Sequence, residues 1–228
     1  MCNNGEHIEK MSRITIFSGR FGSGKTETAL NYAVAIASST FQVPGFTLRT
    51  RTHHTSDAPV ALVDLDIVTP YFRSREMALG MKSHHVEVIA PMAVSLHLDL
   101  PAISPQILGT LQNDGYRVVL DVGGDPQGAR ALGQFSSAIQ SAGYTMLMLV
   151  NPYRPFTDTE QGIGASIQEI QATCRLTVSG LVSNPNLMEE TTPDILERGH
   201  ALVEATSQRL ALPIEFIVME RSLATAFP

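Results

Sequence analysis

Gly19-Arg20-Phe21-Gly22-Ser23-Gly24-Lys25-Thr26 satisfies the pattern G-x-x-x-x-G-K-S/T, and each residue type in it has a chemical use. Glycines at 19, 22 and 24 let successive backbone N–H groups turn inward around the oxygens of an anion, and the start of a following helix adds positive potential. Lys25 then reaches the outer oxygens of a phosphate chain. The hydroxyl of Thr26 suits a divalent cation such as Mg²⁺, and Glu27 lies next to it in the first helical turn.

Such a site needs carboxylates, and two places supply them. In Val63-Asp64-Leu65-Asp66 the alternation of a strand sends Asp64 and Asp66 to one side as the chain leaves a sheet. In Val118-Val119-Leu120-Asp121-Val122-Gly123-Gly124 an apolar run ends in Asp121, with Gly124 three residues on in a D-x-x-G arrangement. Paired carboxylates at the C-terminal edge of a parallel sheet suit hydrated Mg²⁺ and an attacking water. An aspartate after a buried strand also serves as a helix cap or turn former, so the meaning of these motifs comes from their order behind the glycine loop.

The elements that must position these residues are legible as short, nearly continuous apolar runs. They cover Ile14 to Ser18, Val60 to Leu65, Val86 to Ala90, Tyr116 to Asp121, Tyr144 to Val150, Leu176 to Ser183 and Ile214 to Met219. Unbroken hydrophobicity, instead of alternation, predicts strands buried on both faces. Lys25 to Ser38 places Leu30, Ala33, Val34 and Ala37 on one helical face. Thr192 and Pro193 have the types for the cap and first position of a later helix carrying Leu196, Val203 and Leu210. Strand and helix in repeated alternation predict an α/β domain of three layers with a mostly parallel central sheet. The expected division is a flexible segment over 1–12 and a single nucleotide-binding domain over 13–228, with a polar insertion near 40–58 that holds Arg49, Arg51, His53 and His54.

Composition narrows the functional classes. The 228 residues are 43% hydrophobic and carry a net charge of −6, a field that argues against nucleic acid as a partner. Cys2 and Cys174 are too far apart for a metal-ligand spacing and predict neither a disulfide nor an iron–sulfur cluster. The start is polar, and no apolar run approaches the ~20 residues of a membrane span. A cytoplasmic location is the expectation.

The succession GRFGSGKTE, VDLDIVTPYFR and VVLDVGGDPQG resembles the MinD/ParA/CobQ group of P-loop ATPases, over nearly the whole chain from about Arg13 to about Met219. The resemblance implies a P-loop NTPase fold, ATP and Mg²⁺ as ligands, and a nucleotide switch acting on an unidentified protein partner. It implies that Asp66 orients or activates the attacking water and that Asp121 holds a Mg²⁺-bound water. Guanine-specific relatives use N-K-x-D, whereas Ser183-Asn184-Pro185-Asn186-Leu187 has leucine in the carboxylate slot. Adenine is therefore the expected base, with Asn184, and beside it Asn186, as contacts. Dimerising members carry a lysine straight after the first P-loop glycine, reaching the partner subunit's phosphates. Here Arg20 and Phe21 follow Gly19, and a homodimer with Arg20 acting in trans is one reading of the change. The tail RSLATAFP has no basic amphipathic helix and so predicts no membrane anchor. An ATP-dependent small-molecule enzyme, a dethiobiotin synthase-like ligase or a kinase, is the alternative. Two further segments, Thr69 to Glu76 and Asn151 to Pro155, mix aromatic and basic groups suited to a partner or second substrate.

Overall fold

The computed structural model describes residues 12–37, 58–65, 84–89 and 104–224. Asp66, the segment from Thr69 to Glu76, Cys2 and the insertion near 40–58 except Ala58 lie outside these residues.

Seven strands form one sheet: β1 (Ile14–Ser18), β2 (Val60–Leu65), β3 (Val86–Ile89), β4 (Arg117–Val122), β5 (Tyr144–Val150), β6 (Gly180–Ser183) and β7 (Ile214–Ile217). Their spatial order is β3-β2-β4-β1-β5-β6-β7, and every pairing is parallel. The described helices are α1 (Lys25–Ala37), α2 (Pro105–Gln112), α3 (Pro126–Gly133), α4 (Ser136–Ala142), α5 (Glu160–Cys174) and α6 (Pro193–Leu210).

The sheet separates two apolar clusters. On one face Ile16, Val63, Leu120 and Met148 pack with Leu111 of α2, Leu132 of α3, Ile139 of α4, Ile167 of α5 and Val203 of α6. On the other, Phe17, Leu62, Val119 and Leu147 pack against Ala29, Leu30, Tyr32 and Ala33 of α1. Burial on both faces is the physical reason these strands read as unbroken apolar runs. Helix α1 is covered more widely than a single stripe, since Tyr32 on its flank is also buried and meets Phe17 edge to face at 5.2 Å.

Local signals place the helix starts. Ser104, Asp125, Thr159 and Thr192 each cap a helix by accepting from a backbone N–H of its first turn. Asp125 takes the cap of α3, which leaves Asp121 inside the sheet. The run from Leu176 pairs as a strand only from Gly180. Before that point the chain is held by single bonds, Val178 N–H to the Gln171 side chain and Ser179 N–H to Met146 carbonyl. Hydrophobicity reported the burial of Leu176 and Val178 correctly, but a ladder needs a strand alongside, and periodicity does not see that.

Leu120 lies at the centre of the sheet, fully buried. Leu120→Ala is expected to lower unfolding free energy by about 2–5 kcal/mol, read as a reduced denaturant midpoint at unchanged m-value.

Candidate functional site

The glycine loop joins the C-terminal end of β1, the strand flanked by β4 and β5, to the first turn of α1. Gly22 and Gly24 hold φ of +75° and +86°, the region open to glycine at little cost. Ser23 N–H returns to Arg20 carbonyl at 3.0 Å and closes the turn. The first helical bond, from Thr28 N–H to Gly24 carbonyl at 3.0 Å, leaves the amides of Lys25, Thr26 and Glu27 before it without intrahelical acceptors. A row of backbone donors at a helix N-terminus suits a chain of phosphates.

The loop has few side chains with which to hold itself, and neighbouring strand ends hold it. Asn184, straight after β6, donates from Nδ2 to Ser23 carbonyl at 2.7 Å and is buried. On the other side Gly124 is pressed against the loop. A Cβ there would overlap the carbonyl oxygen of Gly19 and lie 2.6 Å from its carbonyl carbon and 2.9 Å from Arg20 Cα. The glycine of the D-x-x-G segment is thus required by contact with the P-loop backbone.

Charges collect at the same edge. Asp64 on β2 and Asp121 on β4 are register partners, and Phe17 of β1 is the next partner of Asp121. Both carboxylates therefore stand on the α1 face of the sheet, in adjacent strands about 4.8 Å apart. Asp64, Asp121 and Lys25 are 3%, 1% and 6% exposed. Desolvating an ion costs several kcal/mol, so three such groups around one loop signal a site rather than a device of stability. In the same region the buried side-chain oxygens of Ser18, Ser23 and Asn184 have no hydrogen-bond partner among the described residues. The glycine cradle, the orphaned oxygens and the oxygen donors Thr26, Asp64 and Asp121 together fit a phosphate chain with a hard divalent cation. Among the described residues no three His, Cys, Asp or Glu side chains converge on a metal position, and no helix is long and apolar enough to cross a membrane.

Several predicted site residues also make contacts within the protein. Asn184 gives one Nδ2 proton to the P-loop, while its buried Oδ1 has no hydrogen-bond partner among the described residues. Asn186 accepts from Met188 N–H at 2.6 Å, so its oxygen shapes the turn. Arg20 points back onto its own chain: Nε donates to Ser166 Oγ at 2.9 Å, Nη2 meets Glu169 at 2.5 Å, and the guanidinium lies 5.3 Å from the Phe156 ring centroid. Phe21, its neighbour, is 78% exposed. Burial pushes the Cys174 thiol up, which makes it a poor nucleophile.

Two residues at this edge carry parts that sequence reading did not assign. Asn151, buried at the end of β5, donates to Asn186 carbonyl at 2.8 Å and accepts from the N–H groups of Tyr153 and Asn186. It stitches the loop after β5 to the loop after β6. Arg154 donates from Nε to Gly22 carbonyl at 3.3 Å. The available signal was the place of Asn151 to Pro155 at a strand end on the ligand-binding edge.

Gly124→Ala is expected to destabilise the fold by about 1–3 kcal/mol, because the P-loop backbone must move to admit the methyl group. Gly109, exposed in α2 with open space around its Cβ position, provides the contrast. Gly109→Ala should stabilise by about 0.5–1 kcal/mol, and denaturant unfolding of the two variants checks both signs.

No protein-family model matches the sequence, and no curated protein matches it. Solved structures do. Chloroplast FtsY from Physcomitrella patens is similar with a TM-score of 0.56 at 15% identity, over 90% of this chain and 58% of that one. The signal recognition particle receptor FtsY from Elizabethkingia anophelis, in complex with GDP, gives 0.52 at 16% identity over 91% and 57%. FtsY from Mycoplasma mycoides gives 0.51 at 14% identity over 90% and 59%. The chain spans less than three fifths of the length of these structures. At such identity the likeness is one of architecture, and with the glycine loop at the β1–α1 junction it makes the domain a three-layer P-loop NTPase fold.

Proposed function

We propose that the protein is an Mg²⁺-dependent ATPase of the MinD/ParA type, a nucleotide switch acting on a protein partner. The observation that carries the reading is the burial of Lys25 beside a glycine loop whose flank holds Asp64 and Asp121 in register. The loop amides and Lys25 hold the phosphates. Thr26, Asp64, Asp66 and Asp121 are the residues that would hold the Mg²⁺, and Asp66 the one that would orient the attacking water. When bound, the cation neutralises charge developing on the phosphate oxygens. Exposed Phe21 and Phe156 beside the loop favour a macromolecular partner at this rim.

Adenine is the proposed base because the loop after β6 has Leu187 where a guanine reader places a carboxylate. One Nδ2 proton of Asn184 goes to the Ser23 carbonyl, and its Oδ1, without a partner among the described residues, is the proposed acceptor for the exocyclic amino group of adenine. A homodimer in which Arg20 acts in trans would first have to release Ser166, Glu169 and the Phe156 ring.

Calorimetry is expected to give tighter binding of Mg·ATP than of Mg·GTP, and Lys25→Ala to weaken Mg·ATP by about 100-fold or more through loss of a partly desolvated cation. Equal affinities would remove the adenine assignment, and an unaffected Lys25→Ala would remove the phosphate site. Asp66→Asn should bind Mg·ATP nearly as well as wild type while turnover drops by about 10² or more. Stimulation of wild-type turnover by a macromolecular fraction of cell extract supports the switch. Stimulation by a dialysable metabolite supports a small-molecule kinase or ligase instead.

A further inference from the structure

The two arginines at the rim of the P-loop are engaged to different degrees. Arg20 is held by Ser166, Glu169 and the face of Phe156. Arg154 makes one hydrogen bond, from Nε to Gly22 carbonyl, and among the described residues its Nη1 and Nη2 have neither a hydrogen-bond nor an ion-pair partner. A planar fork of donors is thus left half-exposed, resting on the phosphate cradle.

The loop that carries Arg154 is built. Its N–H donates to Asn151 carbonyl at 3.2 Å, and its carbonyl accepts from Thr157 N–H at 3.2 Å. Thr157 Oγ1, buried, donates to Asn151 carbonyl at 2.7 Å. Asn151 ties this loop to the one after β6, and Asn184 ties that loop to the P-loop. Such support holds a side chain in position for a ligand.

Sheet order says which part of the ligand. Asp64 and Asp121 lie on β2 and β4, to one side of β1, and Arg154 follows β5 on the other. A cation and the outermost phosphate belong with the carboxylates. A nucleotide anchored over β1 then extends its sugar and base toward β5 and β6, the flank of Arg154.

We infer that Arg154 is a nucleoside-binding residue: its guanidinium plane stacks on the base and its Nη atoms donate to the sugar, while the phosphates are left to the P-loop and Lys25. The inference rests on the nucleotide site proposed above and adds the group that grips the nucleoside half. Guanidinium suits the task because it is flat, delocalised and weakly hydrated, whereas an ammonium is a solvated point charge. Stacking tolerates base identity, so Arg154 adds affinity for adenine and guanine nucleotides alike and does not set the preference between them.

The test compares Mg·ATP, Mg·ADP and Mg·tripolyphosphate, the last without a nucleoside, on wild type, Arg154→Ala and Arg154→Lys, with circular dichroism to verify folding. Arg154→Ala is expected to weaken ATP and ADP by the same factor, at least tenfold, and tripolyphosphate by less than threefold. Arg154→Lys should recover less than half of the loss on a logarithmic scale. Equal losses for tripolyphosphate and ATP would make Arg154 a phosphate ligand and overturn the inference, as would ATP affinity unchanged in Arg154→Ala. Tripolyphosphate that fails to bind wild type overturns the division between phosphate and nucleoside contacts. Wild type that binds no nucleotide removes the site itself and this inference with it, whereas wild type that binds ATP beside an indifferent Arg154→Ala removes the arginine alone.

Discussion

A loop that cradles phosphates must expose backbone donors, and a backbone that exposes donors has little with which to hold its own shape. The structure depends on how that conflict is met. Small residues free the Gly19 to Lys25 backbone, and its conformation is then imposed from outside: by the Asn184 amide on Ser23 carbonyl, by Gly124 against Gly19 and Arg20, and by the helical bond from Thr28 to Gly24. A buried neutral hydrogen bond contributes only about 1 kcal/mol net, but an unsatisfied loop carbonyl costs about 1–3 kcal/mol, so the Asn184 contact acts mainly by making other arrangements of the loop worse.

The same edge concentrates charge. Parallel pairing of β2 with β4 sets Asp64 beside Asp121 and brings both to the face where α1 begins at Lys25. Apolar side chains line the rest of that face, among them Phe17, Leu62 and Val119, so the charged groups sit where water is scarce and electrostatic interactions are strong.

Stitching between loops extends the site sideways. Asn151 joins the loops after β5 and β6, Tyr153 hydroxyl donates to Ile195 carbonyl on α6, and Arg154 reaches Gly22. The P-loop is thus tied to α6 through the loop of Tyr153 and Arg154, and to α5 through the Arg20 contacts with Ser166 and Glu169. Both helices pack on the face opposite α1.

By itself the sequence determined most of the elements and the residue types of the glycine loop. The bounds of β1, β2 and β5 were readable because strands buried on two faces must be apolar throughout, and the start of α6 because Thr192 and Pro193 have the types a cap and first position demand. Gly22, Gly24, Lys25 and Thr26 were readable because few other types provide those conformations and that charge. Tertiary structure alone decided partnership. Which strand neighbours which, and hence that Asp64 faces Asp121, follows from long-range packing that no local pattern encodes. The contacts that Asn184 and Arg20 make within the chain were decided likewise, since an amide or a guanidinium bonds to whatever the fold brings within reach, here Ser23 carbonyl and the side chains of Ser166 and Glu169. Local spacing specifies conformation, and only the folded chain specifies which polar group spends its hydrogen bonds on the protein and which keeps them for a ligand.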